Sequence, residues 1–570
     1  MFKQIALLFV LARLAQAGSL ILIEHAHPRY RIVVSPKATE PERFAADELN
    51  RYLNQMGAAE LPRESKKGPA LHVGVRTDDI VRALDGRRED SFAVVTSGTD
   101  VYLTGNTPRA TLYAVYYLLE KFLGCGWLQP GDDSVPKKDI VTIPDFIHIV
   151  EEPAFAHRSL NLYPYFPKRS IPRLDWAAKN RLDWVHVCTN GSDHWEAFDS
   201  RNTFIPELRK RGMHLNYGGH TFNTWVSPKT YFSSHPEYFS SIDGKRDPAQ
   251  LNISSPEVVR VAAANMNAFL DANPEVEMID MWLNDTSRFD DSEEVRRMEG
   301  SERLSLFGRV SGRDLKSRSN ANIRFVNAIA REIAKRHPGV LVQTLAYFQL
   351  IDAPTVKPEP NVMVGFAPIS RMPSRNSEDV TGYWYPLVQP GHSVNNQHLE
   401  EINKWLRVVP PERFFTYEYY SHVTTARKMV NMTTRAADLE TSVIDETKKG
   451  FHVYTDAMAK DIEMYSEIGN IGLGSEDWDW DEVNMYVYPR LLWHPELSSN
   501  FLIADYCHRS YGPAAMPMLR HWLAIQDARE AFRSAKAECL GYLREAKQVT
   551  LPEAELRRIR ILEDTWTHIN

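Results

Sequence analysis

The chain has 570 residues, 43% of them hydrophobic and 25% charged, an ordinary globular composition with room for about two to four domains. Its net charge of −7 and the absence of a basic stripe in the sequence argue against nucleic-acid binding. No run of about eighteen apolar residues reads as a membrane span.

The chain opens with MFKQIALLFVLARLAQAGS. Lys3 supplies a positive start, Ile5 to Leu11 an apolar core, and Ala15-Gln16-Ala17 a small-x-small cleavage site. This is the pattern of a secretory signal peptide over residues 1–17, cut after Ala17, and it predicts a secreted or periplasmic protein. No Cys follows the cut, so a lipid anchor of the bacterial type is not indicated.

Residues 20 to 145 alternate β-rich runs with amphipathic helices. "YRIVVS", "ALHVGV", "SFAVVTSG" and "DVYLTGN" read as strands. "PERFAADELNRYLNQMG" reads as a helix with Phe44, Leu49, Leu53 and Met56 on one side. "TPRATLYAVYYLLEKFLG" is a second helix, with Pro108 in its first turn and Gly124 as the stop signal. "GCGWLQPGDDSVP" is expected to close this small α/β unit as a loop, the unit ending near Pro144.

From about 155 to 480 the pattern is strand then helix. The predicted strands are "RSLNLY", "WVHVCT", "MHLNYGG", "EMIDMWLN", "LVQTLAYF", "VMVGFAP", "RFFTYEYY" and "NIGLGSE". Helical stretches such as "NANIRFVNAIAREIAKRHP" and "LEEINKWLRVVP" lie between them. Such alternation predicts an α/β fold built on a (β/α)8 TIM barrel. A doubly wound sheet is the runner-up, though no Gly-rich phosphate loop follows the first strand. Residues 423 to 457 fit the alternation poorly and read as an insertion. After residue 484 the chain reads as a helical C-terminal region. The predicted domains are thus 18–148, a barrel over 149–483, and a helical domain over 484–570.

In a TIM barrel the loops at the C-terminal strand ends build the active site, so those ends are the places to look. They offer Asn161, Asn190, His214 with His220, Asn284 with Asp285, Tyr347, Arg371, Glu418 and Glu476. Trp225, Trp282, Tyr163, Tyr165, Tyr417, Trp478 and Trp480 are aromatics suited to stacking on sugar rings. Carboxylates, amides, histidines and aromatics together fit a polyhydroxylated ligand. Glycoside cleavage needs two carboxyl groups, one to protonate the leaving oxygen and one to attack or activate water. Asp285, Glu418 and Glu476 are the three acids placed for it. The competing readings are an N-capping Asp285, a buried structural Glu418, and a solvated acidic loop around Glu476 in "EDWDWDE".

Other chemistries lack their signatures. His214 and His220 do not have a zinc spacing, and "DDSEE" lacks the glycine of a calcium loop, reading instead as a helix N-terminus. There is no nucleophile elbow and no P-loop. Cys125, Cys188, Cys507 and Cys539 match no metal motif and read as buried thiols, although Cys507 and Cys539 fall in helical sequence and are able to pair.

The stretch "TGNTPRATLYAVYYLLEKFLGCGWLQPGDDSVP" resembles the N-terminal domain of family 67 alpha-glucuronidases, whose relatives precede the barrels of beta-N-acetylhexosaminidases. Thr111, Tyr113, Ala114, Val115, Tyr116, Leu119, Glu120, Gly124, Trp127, Pro130 and Gly131 carry the match, while Gly126 stands where those domains have Arg. "LNISSPEV", "MWLNDTSRF", "IGLGSEDW" and "VYPRLLWHPELSSNFLIADYCHRSYGPAA" resemble secreted bacterial proteins that join this domain to a barrel of unassigned function. In hexosaminidase-like relatives an acidic pair ends the fourth strand and its second member is the general acid. Asn284-Asp285 matches that place, with Asn in the first position. In glucuronidases the acid is a Glu with two further carboxylates at later strand ends.

The expectation is an exported glycoside hydrolase acting on poly- or oligosaccharide, with Asp285, Glu418 and Glu476 catalytic. Substrate contacts are expected from Asn161, His214, His220, Trp282, Asn284, Tyr347, Tyr417 and Trp478. No metal or other cofactor is implied, and the partner expected is a carbohydrate, with no nucleic acid and no integral membrane segment after signal cleavage. The rival is a non-catalytic carbohydrate-binding protein on a glycosidase-like barrel. A metal-dependent hydrolase using His214 and His220 is the third reading.

Overall fold

A computed structural model describes residues 18–63, 67–162, 167–188, 200–286, 288–371, 385–420, 451–475 and 482–569. The signal-peptide reading, Tyr163, Tyr165, Asn190, Glu476, Trp478, Trp480 and residues 423–450 of the expected insertion lie outside them. The chain divides into two compact units. One holds residues 1–156 with 172–181 and 205–213, and the other holds the remainder.

In the first unit a mixed five-stranded sheet has the order His148–Glu151, Phe92–Ser97, Asp100–Gly105, Ala70–Val73, Arg31–Val34. A second sheet joins Ser19–Glu24 to His27–Pro28 and Ile140–Pro144. Helices Glu40–Gly57 and Pro108–Lys121 begin where their sequence says they should. Glu42 accepts the Thr39 amide at 2.8 Å, and Thr107 accepts the Ala110 amide at 3.1 Å. Two expectations need correction. "GCGWLQPGDDSVP" is not a plain loop, because Gly126–Gln129 and Asp132–Ser134 pair as a hairpin. The unit also runs past Pro144, since His148–Glu151 completes the larger sheet.

The motif that carried the glucuronidase resemblance is core. Trp127 packs edge-on to Tyr52 and Tyr116, with ring centres 5.0 and 5.6 Å apart. The Tyr116 hydroxyl donates to Glu48 at 2.9 Å, and buried Glu120 pairs with Arg181 at 3.1 Å. These residue types are therefore fixed by packing and charge pairing within the first unit.

The second unit contains a closed barrel of eight parallel strands in sequence order. They are β1 (His157–Leu162), β2 (Trp184–Cys188), β3 (His214–Gly218), β4 (Met278–Asp280), β5 (Leu341–Ala346), β6 (Val362–Phe366), β7 (Phe414–Glu418) and β8 (Gly472–Ser475). Seven of the eight fall within the segments expected from sequence, and β1 begins one residue earlier than expected, at His157. The period of two sorts each strand into a lumen face and a helix-facing side. In β2, Trp184 and His186 contact rings and amides of other strands across the lumen, whereas Val185 and Val187 supply apolar packing. In β5, Gln343 meets Asn216 of β3, while Thr344 meets Asn322 on helix Ser319–Arg336. At the start of the strands the lumen is filled by His157, Trp184 and Phe415, and burial pulls His157 down to about 3, so that it is neutral. Gly472 of β8 is required there, because a Cβ would overlap the His157 carbonyl oxygen.

The chain ends in five helices, Glu482–Trp493, Ser499–Tyr511, Ala515–Ala528, Lys536–Ala546 and Glu553–His568, the expected helical region. Cys507 and Cys539 are separate buried thiols in two of these helices and do not form the pair that sequence allowed. Among the described residues no helix is long and apolar enough to cross a membrane.

Candidate active site at the barrel mouth

The fourth strand is shorter than its sequence suggests. "EMIDMWLN" reads as one continuous strand, but β4 stops at Asp280. Beyond it the Met281 amide still donates to the Gln343 carbonyl of β5 at 2.8 Å, and the backbone then turns to partners outside the barrel strands. Thr221 Oγ1 and Trp225 Nε1 donate to the Asp280 carbonyl, each at 2.8 Å, and the Phe222 amide donates to the Trp282 carbonyl at 3.2 Å. The Asn284 amide donates to Gln250 Oε1 at 2.9 Å. These bonds are non-local, so strand propensity alone did not reveal the break.

Asp280 is therefore the residue that ends β4 in the lumen, and it is one that sequence reasoning passed over. Its Oδ2 pairs with His186 Nε2 at 2.7 Å and accepts the Gly219 amide at 2.5 Å. Nδ1 of His186 lies 3.1 Å from Asn161 Oδ1, and Asn161 Nδ2 donates to the Tyr417 hydroxyl. The chain Asp280–His186–Asn161–Tyr417 thus links β4, β2, β1 and β7 through the buried lumen. Burial pushes the Asp280 carboxyl above its ordinary range, against the opposing pull of His186 and the Gly219 amide. An acid flanked by Ile279 and Met281 was a usable signal, because a charge among buried residues must be paired.

Gly218 makes room for this carboxylate. It has φ 143°, and a Cβ there would overlap the Cβ of Asp280 and lie 3.0 Å from its Oδ2. Gly218→Ala is expected to cost roughly 2–4 kcal/mol, backbone strain and overpacking together. A fall in the urea midpoint checks this, and an unchanged midpoint contradicts the packing described.

Above the buried chain stands Trp282, its ring centre 5.1 Å from His186, 5.6 Å from His220 and 5.5 Å from Tyr417. It is a buried wall of the site and not the open stacking platform expected. Asn161 and Tyr417, expected to touch substrate, hydrogen-bond each other beneath that wall.

Asp285 is an accessible acid. Its side chain is 34% exposed, Oδ1 accepts the Tyr347 hydroxyl at 3.1 Å, and His220 Nε2 lies 4.0 Å away. His220 is anchored from its other side, with Nδ1 2.6 Å from the Leu283 carbonyl. Tyr347 owes its position to the next residue. Phe348 is held at φ 49° in the left-handed region, which costs a bulky side chain energy, and it packs against Phe307 with ring centres 4.8 Å apart. Helix Glu293–Glu299, capped by Ser292, accounts for "DDSEE" as a helix N-terminus, and Asp285 caps nothing there.

Three expected site residues are placed elsewhere. His214 is the first residue of β3, at the barrel end opposite the mouth, where it stacks on Trp184 and pairs with Glu277 at 2.9 Å. Asn284 uses its side chain to fix backbone. Nδ2 donates to the Ala249 carbonyl at 2.8 Å and Oδ1 accepts the Asn223 amide at 3.2 Å. Glu418 follows lumen-facing Tyr417 by one residue and so faces the helices. It is 0% exposed, pairs with Arg371 at 3.3 Å, and accepts the Tyr465 hydroxyl from helix Thr455–Glu467. Arg371 also reaches Asp461 of that helix at 2.9 Å, and Asp461 accepts the Leu387 amide at 2.6 Å. Arg371 and Glu418 thus belong to a buried charge cluster behind the barrel wall. Among the described residues no group of three or more His, Cys, Asp and Glu could hold a metal ion.

The fold is shared with solved glycoside hydrolases. A GH138 enzyme targeting pectin rhamnogalacturonan II matches with TM-score 0.52 at 13% identity, over 89% of this chain and 70% of that one. A GH115 4-O-methyl-alpha-glucuronidase with specificity for decorated arabinogalactans matches with TM-score 0.58 at 10% identity, over 96% and 71%. A GH89 enzyme from Clostridium perfringens, in complex with GlcNAc-alpha-1,4-galactose, matches with TM-score 0.52 at 12% identity, over 86% and 53%. This chain thus spans about half the length of the GH89 enzyme. At such identities the likeness is one of fold, to glycoside hydrolases of families 138, 115 and 89, and it does not show the family 67 resemblance read from the sequence. No curated protein sequence matches the chain. Residues 127–524 match the family model described as a domain of unknown function, DUF4838, and the chain belongs to that family.

Proposed function

We propose that the protein is an exported glycoside hydrolase that cleaves poly- or oligosaccharide, with Asp285 as its acid/base carboxylate. The observation that carries this reading is Asp285 itself, a partly exposed acid just beyond the end of β4, held by Tyr347 and facing His220. The glycosidase-like barrel supports the reading, and the signal-peptide pattern over residues 1–17 accounts for export. Glu476, the residue after the last of β8, is the second carboxylate on its sequence position alone. His220, Tyr347 and Trp478 are the substrate-facing groups of the proposal.

One observation favours the rival. Glu418 is sealed in an ion-paired cluster, which removes one of the three carboxylates from the chemistry and lends weight to a barrel that binds sugar without cleaving it. The test is hydrolysis by the purified protein across aryl glycosides and plant or algal polysaccharides. Release of aryl alcohol or reducing ends from at least one is expected. Retention on a polysaccharide affinity gel with no release from any substrate supports the binding protein instead.

A further inference from the structure

We infer that His220 is a second proton-transfer residue of this site and works with Asp285 as one acid/base unit. The inference rests on the glycosidase reading for its chemistry but on the geometry of the imidazole for its existence.

A carbonyl oxygen can only accept a hydrogen bond. The Leu283 carbonyl lies 2.6 Å from His220 Nδ1, so Nδ1 carries a hydrogen whatever the charge of the ring. In the neutral ring the lone pair is therefore on Nε2, the atom 4.0 Å from Asp285 Oδ1. That separation is too long for a direct hydrogen bond and matches two polar groups bridged by one water or sugar hydroxyl. The ring is held in place by Trp282 and Tyr347, with centres 5.6 and 5.8 Å away. Asp285 and Tyr347 are the titratable groups shown facing it, and the Tyr347 hydroxyl is spent on the same Oδ1. The side chain of His220 is 17% exposed and that of Asp285 34%, so a ligand reaches both.

The chemistry balances with water as the only co-reactant. At rest the pair holds one proton, as Asp285 carboxylate and His220 imidazolium. As the glycosidic C–O bond breaks, its electron pair passes to the leaving oxygen, which takes that proton as it is handed from Nε2 through the bridging oxygen to Asp285 and on, leaving a lone pair on Nε2 and Asp285 ionised. When water adds to the anomeric carbon, the proton it gives up returns to Nε2. Glu476 or another nucleophile is unaffected by this exchange, because His220 and Asp285 are too close to lie on opposite faces of one sugar.

NMR of the full chain labelled in its histidine rings tests the pairing without a substrate, with the His220 signal identified by its loss in both His220→Asn and His220→Gln. The neutral ring is expected to show its hydrogen on Nδ1, and the titration midpoint is expected to fall by about 1 in Asp285→Asn. A hydrogen on Nε2, or a midpoint unmoved in Asp285→Asn, overturns the unit. On any aryl glycoside the parent hydrolyses, His220→Gln is expected to lose about 10²-fold in kcat with KM little changed. Unchanged kcat also overturns it. A shifted midpoint with no hydrolysis anywhere keeps the pair and rejects the glycosidase reading, so the two failures are told apart.

Discussion

Asp285→Asn is expected to lower kcat on a glycoside with a poor leaving group by about 10²–10⁴-fold while leaving the urea midpoint close to that of the parent. The two halves of this result have separate causes. The chemical loss follows from removing a partly exposed acid held by Tyr347 beside His220, just beyond the end of β4. Stability is spared because the side chain is a third exposed, and Asn keeps an oxygen that still accepts the Tyr347 hydroxyl. A variant that loses activity only by unfolding shows both changes together.

Arg371→Leu is expected to do the opposite, acting on stability first. Its guanidinium is fully buried between Glu418 at 3.3 Å and Asp461 at 2.9 Å, and it also donates to the Tyr385 carbonyl at 2.9 Å. Leucine leaves two carboxylates buried without their cation, and breaking such a pair costs about 3–5 kcal/mol. The pH dependence gives the mechanism away. Burial already pushes Asp461 above the ordinary carboxyl range, with Arg371 and the Leu387 amide pulling it back down. Removing Arg371 raises it further. A carboxyl whose folded value lies above its unfolded value binds more protons in the folded state. The stability it contributes is complete below the unfolded value and is lost as pH rises through the folded one. The variant is therefore expected to be nearer the parent in urea midpoint at pH 5 than at pH 8. A deficit independent of pH contradicts the charge account and points to lost packing.

This cluster also shows where sequence reading stops. Glu418 is a strand-end acid between two tyrosines, equally consistent with catalysis and with burial, and the choice turns on which way it faces. Tyr417 reaches Asn161 across the lumen, so Glu418, one residue on, is directed at helix Thr455–Glu467. The period of two was legible, but its phase was set by contacts far away in the chain. His214 shows the same gap in another form. "MHLNYGG" identified β3 correctly, yet His214 opens the strand and Gly218 closes it, so the histidine lies at the other end of the barrel from the mouth.

The strands themselves were legible because most are short apolar runs with β-branched or aromatic residues and a helix or a Gly- and Pro-punctuated stretch after them, while β1 and β8, which have few such residues, were found through the regular alternation. The end of β4 was not. Met281 to Asn284 look like strand by composition, but Thr221 and Trp225 take the Asp280 carbonyl, the Phe222 amide takes the Trp282 carbonyl, and Gln250 takes the Asn284 amide, all from outside the barrel strands. That single shift explains two errors at once. It turned Asn284 from a ligand of sugar into a ligand of the Ala249 carbonyl, and it hid Asp280, whose partner His186 sits in "WVHVC" among residues chosen for apolar packing. Asp285 kept its place near the mouth through the bend, because the loop carrying it is pinned on both sides by Gln250 and Tyr347.

The most direct measurement of the central role given to Asp285 is the dependence of its loss on the leaving group. Parent and Asp285→Asn are compared on two aryl glycosides of the same sugar, one releasing a strongly acidic dinitrophenol and one a weakly acidic phenol. An acid that protonates the departing oxygen matters little when that oxygen leaves readily as an anion. The account predicts a loss in kcat/KM of about 10²-fold or more for the phenol and about tenfold or less for the dinitrophenol. Equal losses on both, or a variant as fast as the parent on the phenol, contradict it.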